Sequence, residues 1–217
     1  MSVRSAYEQE LASLQEEVFN LGKEVIQTFE RAMELLDKGK GHLLQDIIDY
    51  DKVINKKEIE IHDKATLMIA KQQPVATDLR TTIVALKISS DLERVGDLSV
   101  DIIKASRRMT AVQPEHKIEE MRDMASIAVS MLDRALSAYK DKDLMTAQQI
   151  AVLDDKVDAK YKKFVRGLFA MSIEQNEIEN IAQLAFIGRY IERIADYATN
   201  LAEWIVYEQN GQHFDLN

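Results

Sequence analysis

Carboxylates spaced four residues apart on a helix can share a cation, and this chain carries that spacing twice. Glu93, Asp97 and Asp101 form one series; Glu192, Asp196 and Asn200 form the other. Aligning Glu93 with Glu192 places Arg94 on Arg193, Asp97 on Asp196 and Asp101 on Asn200. Residues four apart lie on one side of a helix, where like charges repel by a few tenths of a kcal/mol per pair. Helix formation does not ask for such a stripe, and a bound divalent or trivalent cation would offset it. The plainer reading is a solvated acidic face with Arg94 and Arg193 pairing to Asp97 and Asp196, three residues on. One helix offers too few oxygens for a hard cation, which takes about six or more. Asp51 and Asp154 recur at matched positions on the helix before each stripe, so they are the candidate second ligands or supports. Both also fall on apolar seams, where an unpaired charge is expensive; a satisfied hydrogen bond or a water-filled gap would explain them equally. The metal is left open among iron, magnesium, manganese and zinc. All-oxygen ligands favour the first three over a structural zinc site.

The elements that must hold these residues are long helices. Leu11, Leu14, Val18, Leu21, Val25, Thr28, Ala32 and Leu35 step by threes and fours, which is the seam of an amphipathic helix over about residues 7–37. Lys38-Gly39-Lys40-Gly41 ends it. A second helix, about 42–71, has the seam Ile47, Asp51, Ile54, Glu58, Ile61, Ala65, Met68, and Pro74 then breaks the pattern. A third, about 78–108, runs through the first stripe, and Pro114 marks the next boundary. The pattern then restarts. An offset of 103 carries Ile47, Asp51, Ile54, Ile61, Ala65 and Met68 onto Ile150, Asp154, Val157, Phe164, Leu168 and Met171. In the last helix of each half the offset is 99: Ile88, Leu92, Val95, Ser99 and Ile102 land on Ile187, Ile191, Ile194, Ala198 and Leu201. The missing residues fall in the turn near 172–180, as a structural repeat requires. The expected fold is all-α: six long antiparallel helices as two similar three-helix bundles, residues 1–112 and 113–217, in one compact unit. At about 100° per residue, Glu93, Asp97 and Asp101 sit well over a quarter turn from the seam. The expectation is therefore a surface cluster holding an ion or docking a partner, and not a buried catalytic site.

Composition narrows the function classes. The formal net charge of -9 argues against a nucleic-acid-binding surface. With no cysteine there are no disulfides or thiolate metal sites, which is compatible with a reducing compartment. The first residues lack the apolar core of a signal peptide, and no apolar run approaches the roughly 18 residues of a membrane span. A cytoplasmic protein is expected.

Gln73-Pro74-Val75-Ala76-Thr77-Asp78-Leu79-Arg80 resembles the signature that opens the third helix of PhoU proteins. The Glu-Arg-Val-Gly-Asp stretch from Glu93 and the Glu-Arg-Ile-Ala-Asp-Tyr-Ala-Thr-Asn stretch from Glu192 match that family's paired motifs. The resemblance spans nearly the whole chain. It implies two three-helix bundles side by side, and a cytoplasmic accessory protein of high-affinity phosphate transport. Such a protein would connect the phosphate ABC transporter, through its ATPase, with a sensor histidine kinase, and restrain uptake and starvation genes when phosphate is plentiful. It implies a homodimer that meets the membrane only through partners. It also implies metal held by Glu93 and Asp97 in the first half and by Glu192 and Asp196 in the second, with Asp101 and Asn200 extending the stripes. Ile173-Glu174-Gln175-Asn176 stands where the first half has Gln-Pro, so the two sites need not be equivalent.

Catalytic readings find less support. A di-iron carboxylate enzyme needs Glu-x-x-His pairs, whereas His62 follows Glu58 by four and Glu60 by two. His42, His116 and His213 are isolated. No Walker-type glycine loop or serine nucleophile elbow is present. Trp204, Tyr190, Tyr197 and Tyr207 crowd the last helix, where core packing explains such aromatics more simply than a partner surface. A non-enzymatic regulator is expected, with a metal-binding helical adaptor of other function as the alternative.

Overall fold

The computed structural model describes residues 3–36, 41–109, 114–171 and 177–214. Among the described residues six helices make up the fold: α1 Val3–Glu34, α2 Gly41–Gln72, α3 Ala76–Arg108, α4 Glu115–Asp141, α5 Leu144–Phe169 and α6 Ile178–Asn210. No strand occurs among the described residues. Each half is a three-helix bundle, α1–α3 and α4–α6. Residues 37–40 and 172–176 lie outside the described residues, and with them most of the expected glycine break after α1 and the core of the shortened turn after α5.

Local chemistry sets the helix ends. Pro74 cannot extend α2, and Gln73 and Ala76 on either side of the Pro74-Val75 pair take positive φ of 46° and 48°. Neither is a glycine, so the Gln-Pro connection is a strained turn. Between α4 and α5, Lys142 caps one helix in the left-handed region while the Asp143 side chain accepts from the amides of Met145 and Thr146, at 3.0 and 3.2 Å.

The apolar seams are buried as their spacing requires. Leu14, Val18, Val25, Ile54, Ile88, Leu92, Ile187 and Ile191 are fully or almost fully inaccessible. Leu11 and Met171, at seam ends, are half-buried. Helices α3 and α6 pack along each other at the centre, as do α1 and α4, so the halves share one core. Helix α2 rests on α1 and α3, and α5 rests on α4 and α6. Polar contacts tie the halves together: Lys23 to Asp133 at 2.6 Å, Thr81 Oγ1 donating to buried Glu208 at 2.9 Å, and Trp204 Nε1 donating to Asp91 at 3.0 Å. None of the described helices is long and apolar enough to cross a membrane.

Candidate metal centre

Each acidic stripe lies along the line where an outer helix meets a central one. In the first half that line is α2 against α3. Gly96 sets the closeness of approach: a Cβ there would stand 3.3 Å from Ile54 Cγ2 and 3.7 Å from Asp51 Oδ1. Asp51 is thereby brought to the stripe, and its Oδ1 is buried with no hydrogen-bond partner. Burial raises the Asp51 pKa first, and the charges of Asp97 and Asp101 add to it against Lys104. Glu93 is raised in the same way, by burial and then by Asp97, with Arg94 opposing. Asp97 pairs with Arg94 at 3.2 Å and Asp101 with Lys104 at 3.2 Å. Beside Glu93, Glu58 Oε1 lies 3.1 Å from both Ser90 Oγ and His62 Nε2, and that nitrogen is 3.2 Å from the Leu86 carbonyl.

In the second half α5 lies against α6. Asp158, Glu192 and Asp196 each place an oxygen within 4.8 Å of the others. Glu192 is only 8% exposed, and its Oε2 is buried and unpartnered. Its other oxygen is ion-paired to Arg189. Burial, then Asp196, pushes the Glu192 carboxyl up to about 7, against the pull of Arg189. Asp154 rises to about 6, through burial and then Asp196 and Asp158. Burial also raises Asp196, with Arg189 opposing. Lys162 holds Asp158 from the solvent side at 2.9 Å. Converging carboxylates, with Glu192 and Asp196 raised by burial and one buried oxygen lacking a donor, are what a hard cation neutralises. The residues present therefore fit such an ion, which Asp158, Glu192 and Asp196 would hold.

The stripes are not on the open surface as their angle to the seam suggested. Glu192 is buried, and Glu93, Asp97, Asp101, Asp196 and Asn200 are half-buried. The reason is the second helix of each bundle: α2 and α5 cover the flank that a single-helix projection leaves to solvent. Asp51 and Asp154 are half-buried and turned towards the stripes rather than sealed in the core. The pairing of Arg94 with Asp97 is present. In the second half, however, the guanidinium in contact is that of Arg189, on Glu192, while Arg193 acts on Asp196 only through its charge. Asn200 lies one turn beyond Asp196 and is half-buried.

Sequence reasoning did not single out Asp158. The 103-residue offset pairs it with Asn55, one turn after the seam aspartates, and a turn-by-turn search from Asp154 would have reached it. Glu58 and His62, four apart, were weighed only against a di-iron site, and Ser90, which the 99-residue offset pairs with Arg189, was open to the same search.

A PhoU domain profile matches residues 18–106 and again residues 121–205, so each match holds one of the two stripes. The chain belongs to the PhoU family. It is 34% identical over 216 residues to the phosphate-specific transport system accessory protein PhoU homolog of Clostridium acetobutylicum, covering 99% of each chain. It is 30% identical to the phosphate-specific transport system accessory protein PhoU of Escherichia coli, over 98% of this chain and 88% of that one. Among solved structures, it resembles the phosphate transport system regulatory protein PhoU from Streptococcus pneumoniae, with a TM-score of 0.89 and 29% identity over 96% of this chain and 99% of that one. PhoU from Pseudomonas aeruginosa superimposes with a TM-score of 0.86 at 27% identity, over 95% of this chain and 100% of that one. The PhoU repeat thus coincides with the duplication visible in the sequence, and its helices are those that carry Glu93, Asp97, Glu192 and Asp196.

Proposed function

We propose that this chain is a non-catalytic accessory protein of phosphate-specific transport that restrains phosphate uptake and starvation signalling when phosphate is abundant. The observation that carries the reading is the match along nearly the whole chain to accessory proteins of that system. In this reading the protein works in the cytoplasm as a homodimer. It contacts the ATPase of the phosphate ABC transporter and a phosphate-sensing histidine kinase, and meets the membrane through them. A strain lacking the protein should keep phosphate uptake high in phosphate-rich medium, and re-expression should lower it. Unchanged uptake and unchanged starvation-gene output in the deletion strain would remove the assignment.

The acidic clusters are part of the proposal. A divalent or trivalent cation, with iron, magnesium and manganese favoured over zinc by the oxygen ligands, would bridge α5 to α6 and α2 to α3 and so stiffen each outer helix against the centre. The double variant Asp97→Ala, Asp196→Ala should lose bound metal and the thermal stabilisation that added cation gives the native chain. Unaltered metal content in that variant would mean that the stripes serve only as charged faces.

A further inference from the structure

We propose that Arg189 is a built-in competitor for the second acidic cluster: its guanidinium occupies Glu192 until a multivalent cation displaces it. The inference rests on the cation reading above and concerns what controls access to one of its sites. Glu192 is nine-tenths buried, one of its oxygens has no partner, and the other is taken by Arg189 one helical turn earlier. A carboxylate so far from water needs a positive charge beside it, and Arg189 supplies one from within the chain. The Arg189 side chain is itself 48% exposed. It can therefore leave Glu192 and be hydrated without crossing the core. Its charge is also felt by Asp196 and by Tyr161, so it faces the mouth of the cluster from α6. Lys162 stands on the α5 side of that mouth against Asp158, but it is 66% exposed and holds a better hydrated partner.

The repeat shows that this arrangement is not demanded by the fold. The residue matching Arg189 in the first half is Ser90, which donates to Glu58. The residue matching Lys162 is Ile59, which carries no charge. Glu93, the counterpart of Glu192, meets the solvent-facing Arg94 at 3.6 Å. An ion entering the second cluster meets a resident guanidinium on one oxygen of Glu192, and the two positive charges compete for the same carboxylate.

Manganese(II) alone is the probe, with binding followed by calorimetry and by loss of the free-ion paramagnetic signal. An Asp97→Ala background silences the first half. There, Arg189→Ser should tighten manganese binding about tenfold or more, while Arg189→Lys, which keeps a charge, should stay near the parent. Without metal, Arg189→Ser should melt below the parent, and saturating manganese should bring it level with or above the manganese-loaded parent. A merely structural arginine would not give that reversal. If the parent binds manganese and Arg189→Ser binds it no more tightly, the competitor role is wrong while the site stands. If neither protein takes up manganese, the cation reading of the second cluster fails and the competitor role goes with it.

Discussion

One turn after the seam aspartate, α2 has Asn55 and α5 has Asp158. One turn before the stripe glutamate, α3 has Ser90 and α6 has Arg189. Around these positions the backbone repeats, but the charge arrangement differs. The first half spreads its carboxylates and contacts them with a hydroxyl, an imidazole and the half-exposed Arg94 and Lys104. The second half gathers three oxygens into one small volume and sets a guanidinium and an ammonium on its rim. The fold specifies where a carboxylate meets the outer helix, whereas a few neighbouring residues decide how hard that carboxylate is to ionise. Duplicated helices can therefore hold sites of different affinity with no change in architecture.

The largest test of this contrast is Glu192→Gln. A carboxyl at about 7 in the folded protein, against an ordinary 4.5, binds its proton more tightly folded than unfolded. Stability linked to it is complete below about pH 4.5 and is lost as the pH rises through 7. In chelator-treated protein at pH 8.5, Glu192→Gln should therefore be more stable by roughly 3 kcal/mol, and the difference should vanish near pH 4. Glu93→Gln should shift stability in the same direction by less. Equal effects in urea titrations would erase the distinction between the halves.

Asp91 is next. Its counterpart across the repeat is Tyr190, so only the first half places a carboxyl at this point of the α3–α6 contact. Burial lifts it to about 6, against the hydrogen bond from Trp204 and the charge of Lys87. Asn in its place retains an oxygen for the indole. Asp91→Asn should stabilise the protein by roughly 2 to 3 kcal/mol above pH 7 and leave it unchanged below pH 4. A pH-independent effect would show that packing, not charge, governs the site.

Close approach provides a third test. A methyl at Gly188 would stand 2.8 Å from Phe164 Cε1, on a ring that is 1% exposed. Gly188→Ala should cost about 1 to 2 kcal/mol. At Gly96 the nearest atom is 3.3 Å away, and the better helix propensity of alanine offsets the squeeze. Gly96→Ala should lie within about 0.5 kcal/mol of the native chain. The smallest effect belongs to Arg94→Ala. That guanidinium is 60% exposed and its partner Asp97 is 40% exposed, so thermal unfolding should change by less than about 0.5 kcal/mol.

The fold was legible because threes and fours of apolar residues persist through each helix and recur in the second half, at an offset of 103 that falls to 99 in the last helix. Leu14 to Leu35 and Ile88 to Ile102 needed no tertiary information to be assigned. The stripes were legible as carboxylate spacing, but their burial was not. Solvent exposure of Glu192 depends on α5, which shares no periodic relation with α6 beyond the repeat itself. Asp158 and Arg189 went unmarked for the same reason: neither belongs to a conspicuous motif, and each matters only through what stands opposite or one turn away. The seam aspartates showed the reverse limit. Their spacing marked them as inward-facing, yet Asp51 and Asp154 lean out of the seam towards the stripes, because α3 carries a glycine or α6 a small residue at the matched positions Gly96 and Ala195.

Trp204 is the chain's single tryptophan, and its indole donates across the contact between the two bundles to Asp91, with Lys87 5.5 Å from the ring and His213 packed edge-on at 5.6 Å. The protein therefore carries its own optical probe at the seam between its halves. Emission excited at the tryptophan edge reads one environment. A separation of α3 from α6, as opposed to fraying of α2 or α5, should shift that emission to longer wavelengths with no label attached, and energy transfer from Tyr207, 6.2 Å away, should persist because both rings ride on α6. Spectral change without loss of helical circular dichroism would thus distinguish parting of the bundles from their unfolding.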